Sequence, residues 1–227
     1  MYIAKHPAGC FDTFQHTLVC IKTMKILTDI IITDPKASLE KIIQSYIDCT
    51  PKEYLTIRSY FKTKTLKRLE ILHDFNDVCN NYYFIESGLI RYYQMKDGEE
   101  VTGGFFFEGS GYTDLDSFLS NTYSKQTAQA IECSSLLFIT KLDLEKLYQE
   151  VPKFERITRL SVEEAFIDLR KKVDNLILLG AKERYLNLLK NKPELTRRIP
   201  QYYIASYLGI KPQSLSRIRK NLSSDFS

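Results

Sequence analysis

The sequence predicts an α+β protein built from an antiparallel β-roll, a long helix and a C-terminal helix-turn-helix. Three observations support this prediction. Residues 66–140 contain short runs rich in β-branched and aromatic residues, separated by glycines, as antiparallel strands are. Apolar residues repeat in heptads between 151 and 180. Residues 181–227 are basic and contain an alanine followed four positions later by a glycine, the spacing of a tight turn between two helices.

In the first part of the chain, the sequence predicts an N-terminal extension followed by two helices. Residues 1–36 show no sustained period, so they form an N-terminal extension that is either an arm, a strand pair or a loosely held segment. Ser38 can cap a first helix, because apolar residues recur every three or four positions after it. Thr50, followed by Pro51 and Glu53, has the signature of a capping box at the start of a second helix.

A β unit follows, and it completes a predicted domain of residues 37–150. The expected strands are residues 66–72, 82–86, 89–94, 100–107 and 136–140. Asp97-Gly98 lies between two of these runs and predicts a tight hairpin. The regular alternation of strands and glycines favours a closed antiparallel roll.

A long helix is predicted over residues 151–180, with Gly180 ending it. Its apolar residues form a heptad seam, which requires a partner helix. The seam consists of Val162, Phe166, Leu169, Val173 and Leu176. The alternative is a helix that lies only on its own β unit. Because Ile177, Leu178 and Leu179 widen the apolar surface, we expect the helix to do both and to provide a homodimer interface.

The charge of the chain is concentrated at its C-terminal end. Residues 181–227 contain ten Lys or Arg and three Asp or Glu, a net charge of +7, so the first 180 residues carry −3 of the total of +4. A basic module joined to an acidic one is typical of nucleic-acid binders. We therefore predict a DNA-binding domain over residues 181–227.

Within that domain, residue spacing predicts a helix-turn-helix. Ala205 provides the small residue where two short helices cross, and Gly209 tolerates the positive φ of the turn. Pro212 falls in the first turn of the second helix, where its missing N–H is harmless. A shared core is expected from Ile204, Leu208, Ile210, Leu215 and Ile218.

The outer face of this second helix is polar, which suits the major groove of double-stranded DNA. The residues predicted to face base edges are Gln213, Ser214, Ser216 and Arg217. Those predicted to hold phosphates are Gln201, Tyr202, Lys211, Arg219 and Lys220. The alternative is a helix hairpin with an ordinary solvated face, but the local charge and the placement of alanine, glycine and proline favour DNA binding.

Taken with the β unit and the heptad helix, these residues resemble the Crp/Fnr (catabolite activator) family of transcription regulators. The resemblance covers Ser38 to Leu222, and Ile199–Leu222 resembles especially the members from Bacteroidetes-type bacteria. It implies a jelly-roll, cyclic-nucleotide-binding-like domain, a long dimerisation helix and a winged helix-turn-helix. It also implies a homodimer that binds a near-palindromic site, with RNA polymerase and a small-molecule effector as further partners.

The nucleotide pocket departs from the family pattern. Members that bind cyclic AMP have a Gly-Glu pair and then an Arg-Ser/Thr-Ala triplet, whose arginine neutralises the cyclic phosphate. Here Tyr112-Thr113-Asp114 and Gln126-Thr127-Ala128 stand at these places. Asp114, Gln126 and Thr127 are therefore the candidate effector residues, and loss of the arginine predicts that the effector is not cyclic AMP. Another effector, or none, is expected, and the cofactor stays unknown.

Other functional classes are disfavoured. The chain contains neither a Ser/His/Asp constellation nor a phosphate-binding glycine loop before a helix, so we predict that it is not an enzyme. Its five cysteines are scattered without metal-ligand spacing. No signal-peptide pattern or membrane-spanning run is evident, which predicts a cytoplasmic protein without membrane association. The alternative function is a small-molecule sensor with weak or secondary DNA binding.

Overall fold

A computed structural model describes residues 38–191 and 193–224, so the predicted extension over 1–36 lies outside the described residues. Helices α1 (Leu39–Tyr46) and α2 (Pro51–Tyr60) come first. Ser38 Oγ accepts a hydrogen bond from the amide of Lys41, and Thr50 and Glu53 form a reciprocal capping box. Both predicted helix starts are therefore confirmed.

In the described part of the chain, eight strands form two four-stranded antiparallel sheets that make up the roll. They are β1 (Lys62–Leu66), β2 (Ile71–His73), β3 (Asn81–Ser87), β4 (Leu89–Lys96), β5 (Glu99–Phe107), β6 (Gly111–Tyr112), β7 (Thr127–Ala130) and β8 (Ser134–Thr140). The strand orders are β1-β8-β3-β6 and β2-β7-β4-β5. The predicted β-roll is thus present, although the short strands β6 and β7 were not predicted.

The predicted strand over residues 66–72 is wrong. Leu66 ends β1 in one sheet and Ile71 begins β2 in the other, so the segment between them is a turn. Leu69 lies in this turn with a φ of 67°, and its amide donates to the carbonyl of Ala130. Apolar residues at both ends of the segment imitate a strand, but the chain must change sheets there.

The predicted hairpin between β4 and β5 is confirmed. Asp97 and Gly98 both have positive φ, at 52° and 80°. Two successive residues in this region make the turn whose twist matches that of the flanking strands. The paired strands then run from Lys96 opposite Glu99 to Leu89 opposite Phe107.

Two helices flank the second half of the roll and were not predicted. Helix α3 (Leu115–Ser120) follows β6, and helix α4 (Lys141–Glu150) follows β8. Thr140 caps α4 by accepting a hydrogen bond from the amide of Asp143 at 3.1 Å. Helix α3 has only six residues, too few for a periodic pattern to be visible in the sequence.

The long helix is α5 (Phe154–Leu178), and it packs beside α1 and α4. Tyr46 donates a hydrogen bond from its hydroxyl to Glu164 at 2.9 Å, joining α1 to α5. Phe154 and Ile157 are its only buried residues within the described chain. The helix therefore buries side chains only near its N-terminal end, although Lys172 near its other end also contacts the roll.

The C-terminal region consists of helices α6 (Ala181–Asn191), α7 (Pro193–Arg198), α8 (Gln201–Tyr207) and α9 (Pro212–Ser224). Residues 181–191 and 193–224 contain no strand, so the winged form implied by the resemblance is wrong for this part of the chain. The reason is length: α7 occupies the segment before α8, and residues 199 and 200 alone connect them, which leaves no room for a β-hairpin.

Two apolar clusters organise the described structure. One fills the roll and is built around Tyr83, Ile85, Ile90, Tyr112 and Leu136. The other joins Leu89 and Ile131 of the roll to residues of α6, α8 and α9. The C-terminal helices thus share a core with the β-roll rather than forming a separate body.

Candidate nucleic-acid interface and effector region

The turn between α8 and α9 has the predicted geometry. Ala205 is fully buried where the helices meet, and Gly209 has a φ of 67°. The amide of Ile210 donates to the carbonyl of Ala205 at 3.0 Å, which closes the turn. Pro212 is the first residue of α9, as predicted. The local sequence therefore determines this two-helix arrangement.

Helix α9 has one apolar side and one polar side. Leu215 is 1% exposed and packs into the core shared with α8, with Ile218 and Leu222 beside it. The opposite side carries the predicted DNA contacts. Gln213, Ser214, Ser216, Arg217, Arg219 and Lys220 are all exposed there, and Lys211 is exposed just before the helix. The structure thus presents the predicted base-reading residues together on one accessible surface.

The start of α8 carries the other two predicted phosphate contacts, which differ in accessibility. Tyr202 is exposed, and its ring centroid lies 4.0 Å from that of Tyr203. Gln201 is half-buried, and its Oε1 atom is enclosed without a hydrogen-bond partner. Because that oxygen can only accept hydrogen bonds, Gln201 would donate to a phosphate from its side-chain amide nitrogen or its backbone N–H.

Part of the predicted basic charge is directed inward. Arg198 donates to both carboxylate oxygens of Glu108, at 2.8 and 2.9 Å, and also to Glu132. Arg184 donates to the backbone carbonyls of Leu208 and Leu179. Sequence reasoning counted both arginines in the basic domain but could not identify these contacts, because the two carboxylates of the roll lie far away in the chain.

Of the predicted effector residues, Asp114 precedes α3, Gln126 precedes β7 and Thr127 is the first residue of β7. Asp114 is buried, and its Oδ2 accepts a hydrogen bond from Ser124 at 2.5 Å. Ser124 also accepts from the amide of Gln126 at 3.1 Å. Thr127 is buried and donates from Oγ1 to Asp74 at 2.6 Å. Asp114 and Thr127 are therefore already hydrogen-bonded to hydroxyl and carboxylate groups of neighbouring residues.

The interior next to these residues is filled by aromatic rings. Tyr112 is fully buried, and its ring centroid lies 4.9 Å from that of Phe106 and 6.2 Å from that of Tyr83. Burial raises the pKa of the Tyr112 phenol well above its ordinary value. The hydroxyl contacts His73 Nε2 at 3.3 Å, and burial lowers the pKa of that imidazole. The neighbourhood thus favours uncharged side chains.

The predicted dimer seam on α5 lies on the surface of the single chain. Val162, Phe166, Leu169, Val173 and Leu176 are all exposed, as are Ile177 and Leu178. Next to the seam, Lys172 donates from Nζ to the carbonyl of Gly103 and lies 4.9 Å from the ring centroid of Tyr207. Burial lowers the pKa of this ammonium group. The helix therefore contacts both the roll and α8 beside its apolar stripe.

The described residues contain neither a metal-binding cluster nor a membrane-spanning helix. No three His, Cys, Asp or Glu side chains within 38–191 and 193–224 are grouped so that they could hold a metal ion. Within the same ranges, no helix has both the length and the apolar content that crossing a bilayer demands.

Comparison with known proteins shows the nature of the roll. Residues 63–151 match the family model of the cyclic nucleotide-binding domain. This segment extends from β1 to the end of α4, so it covers nearly the whole roll. No match was found among curated protein sequences.

Solved structures extend the similarity to most of the chain. The c-di-GMP responsive global regulator CLP of Xanthomonas campestris is 17% identical with a TM-score of 0.64, over 78% of this chain and 93% of that one. A protein from Eubacterium rectale, described as a transcriptional regulator of the Crp/Fnr family, is 19% identical with a TM-score of 0.61, over 78% and 85%. The catabolite activator protein of Thermus thermophilus is 20% identical with a TM-score of 0.50, over 78% and 84%. At these identities the similarity establishes the fold.

Proposed function

Since this chain has the fold of the Crp/Fnr regulators, with a cyclic nucleotide-binding domain as its roll, we propose that it is a homodimeric, sequence-specific DNA-binding transcription regulator. The special similarity of Ile199–Leu222 to Bacteroidetes-type members remains part of the proposal. A cytoplasmic location and contact with RNA polymerase follow from the same role. Catalysis is not part of it.

The observation that carries the proposal is the two-sided character of α9. Leu215 anchors the helix in the core, while Gln213, Ser214 and Arg217 are exposed on the opposite side. An arginine can bind the O6 and N7 atoms of guanine bidentately, and a glutamine can bind adenine in the same way. Arg219, Lys220 and Lys211 flank this surface and supply positive charge for the phosphates.

The dimer is supported by the exposed seam of α5. Five apolar side chains at heptad spacing form a continuous stripe on the surface of the isolated chain. Two copies of the stripe, packed against each other, would bury it as in a two-stranded coiled coil. A symmetric pair would also present two copies of α9 to two half-sites of one duplex.

The effector region lacks the arginine that members binding cyclic AMP use. A cyclic phosphate is best held by an arginine, and Gln126 stands at that place. Asp114, the candidate partner for a ribose hydroxyl, already accepts from Ser124, and Tyr112 and Phe106 pack into the adjoining interior. We infer that the effector, if the protein has one, is not cyclic AMP and binds after rearrangement of these side chains.

Selection of bound sequences from a pool of random duplex DNA tests the proposal directly. We expect enrichment of a two-fold symmetric site. The alanine variant of Arg217 should lose about 1–3 kcal/mol of binding free energy and relax the preference at one base pair of each half-site. The alanine variant of Lys220 should instead weaken binding to all sequences and reduce the salt dependence.

A matched control is the alanine variant of Lys171, an exposed lysine on α5 away from the proposed interface. It should bind like the unaltered protein. Equal losses on every sequence from both Arg217→Ala and Lys220→Ala would refute the base-reading role of Arg217. Failure of the unaltered chain to enrich any sequence would favour the alternative, a sensor whose DNA binding is weak or secondary.

A further inference from the structure

The C-terminal helices are fastened to the β-roll of the same chain by a set of polar side chains, which we call the clasp. On the roll the clasp consists of Arg91, Glu108 and Glu132, together with the backbone of β5. On the C-terminal side it consists of Arg198, Tyr203 and Ser206. None of these residues is on the outer face of α9, although Tyr203 contacts Tyr202, a predicted phosphate contact at the start of α8.

The first contact of the clasp is the ion triad around Arg198. Its guanidinium binds Glu108 bidentately, at 2.8 and 2.9 Å, and donates also to Glu132. Glu108 is held in place because the amide of Gly88 donates to its Oε1 at 2.9 Å. Burial acts to raise the pKa of Glu108, but its hydrogen bonds with Arg198 and backbone amides outweigh that effect and leave the pKa below its ordinary value. The carboxylate is therefore charged at neutral pH.

The second contact is a buried stack between Arg91 and Tyr203. Arg91 lies on β4 and is 1% exposed, and its guanidinium carbon lies 3.6 Å from the ring centroid of Tyr203. Glu100 accepts from Arg91 at 2.6 Å, so the cation is also paired. A guanidinium over an aromatic face within a buried site is an attractive and geometrically selective contact. It fixes α8 over one particular position of the sheet.

The third contact covers the edge of a sheet. Strand β5 is at the edge of its sheet, and α8 packs on it. Ser206 Oγ accepts from the amide of Thr102 at 2.9 Å and donates to the carbonyl of Glu100 at 3.0 Å. Backbone groups of an edge strand that would otherwise face water are thus satisfied by α8. Tyr203 also belongs to the apolar cluster that the roll shares with α6, α8 and α9.

In this docked arrangement the outer face of α9 stays exposed, with Gln213 and Arg217 accessible. The clasp therefore does not hide the DNA-binding surface. It fixes the direction of that surface relative to the roll. Lys172 extends the connection to the dimerisation helix, because it contacts both Gly103 of β5 and the ring of Tyr207 in α8.

We propose that the clasp sets the distance and angle between the two α9 helices of the dimer, and so determines which half-site spacing the protein accepts. This inference rests on the proposed function. Arg198, Glu108 and Glu132 act as positioning residues for DNA recognition. Their contribution is made within the protein, through a rigid connection between the α5 seam and α9.

The physical basis is pre-organisation. A second half-site is bound at high effective concentration only when the second α9 already points at it. With rigid α9 units, duplexes whose half-sites are about one helical turn apart are preferred over duplexes with altered spacing. When the clasp is loosened, each α9 can change its direction. The protein then loses affinity for duplexes with the optimal half-site spacing, and it loses less affinity for duplexes with altered spacing.

The test compares full-length proteins on duplexes derived from the selected site, with the half-site spacing unchanged or increased by five base pairs. The double variant Glu108→Gln/Glu132→Gln loosens the clasp without altering any residue of the C-terminal domain. The matched control is Glu145→Gln/Glu155→Gln, which changes the net charge equally at two exposed positions on α4 and α5. Binding to a single half-site is measured for each protein as well.

We expect the clasp variant to reduce the ratio of affinities for optimal and altered spacing by about tenfold, while its binding to a single half-site follows that of the control. A second variant, Ser206→Ala, is milder and should reduce the ratio in the same direction. Amide exchange at Thr102 should accelerate in both variants, which reports opening of the clasp without reference to DNA.

The ratio of affinities for optimal and altered half-site spacing tests the inference. A ratio that is unchanged in both clasp variants while Thr102 exchange accelerates would overturn it, and so would unchanged Thr102 exchange. If the unaltered protein selects no duplex at all, the proposed function fails together with this inference. A protein that selects a site but accepts every spacing equally would overturn the inference alone.

Discussion

The apolar stripe on α5 leads to a quantitative prediction for the change Leu169→Asp. Leu169 is 56% exposed in the single chain, and the other seam residues Val162, Phe166, Val173 and Leu176 are 38%, 64%, 39% and 46% exposed. About half of each side chain is thus available for burial by a second copy. Full burial of such a side chain stabilises by about 2 kcal/mol, so five half-burials give about 5 kcal/mol per chain and about 10 kcal/mol per dimer.

That gain must exceed an association cost of about 4–15 kcal/mol, so the dimer has little excess stability from this seam alone. An aspartate at position 169 removes about 1 kcal/mol of burial from each chain. It also brings two carboxylates into an apolar contact, where an unpaired charge costs several kcal/mol. The sum for two chains is at least about 4 kcal/mol, which corresponds to a dissociation constant raised by about a thousandfold.

Sedimentation velocity over a range of protein concentrations measures this shift. The control is Lys171→Asp, which introduces the same carboxylate on the same helix at an exposed position outside the seam. We expect the control to remain dimeric where Leu169→Asp is monomeric. A Leu169→Asp protein that is as dimeric as the control would show that the chains associate through another surface.

Two further predictions concern stability. Leu215 is 1% exposed and attaches α9 to the shared core, so Leu215→Ala should lower the free energy of unfolding by about 2–5 kcal/mol. The control Leu142→Ala, at a leucine that is 70% exposed, should change it by less than about 0.5 kcal/mol. Urea denaturation measures both changes, and similar losses would contradict the observed packing. Burial lowers the pKa of His73 below the value of about 6.5 expected in the unfolded chain. The contribution of the neutral imidazole to the free energy of unfolding is therefore complete above about pH 6.5 and declines as the pH falls toward the folded pKa. Thermal melts at pH 7.5 and 5.5 should therefore show a loss of stability in acid that is smaller in His73→Gln, and an equal loss in both proteins would assign it to other groups.

Much of the fold could be predicted because it depends on residues close together in the chain. The capping box of Thr50 and Glu53, the Asp97-Gly98 turn and the positive φ of Gly209 each involve a few consecutive residues. The seam of α5 follows from helical periodicity alone. Errors arose where neighbouring residues gave a misleading pattern, as at residues 66–72, where a change of sheet lies inside an apparent strand.

In the candidate site, too, local features could be predicted from the sequence and long-range contacts could not. The sequence by itself determined the two-helix arrangement, the polar face of α9 and the absence of the arginine that a cyclic phosphate requires. The partners of Arg198 and Ser206 were decided only by the tertiary structure, since Glu108 is 90 residues from Arg198 and Thr102 is 104 residues from Ser206.

The filling of the roll by Tyr112 and Phe106 likewise depends on strands that are brought together only in the folded chain. Helical periodicity and turn geometry are properties of local backbone conformation, and a sequence displays them directly. Contacts between distant charges and rings depend on how the whole chain packs, so local patterns carry no record of them.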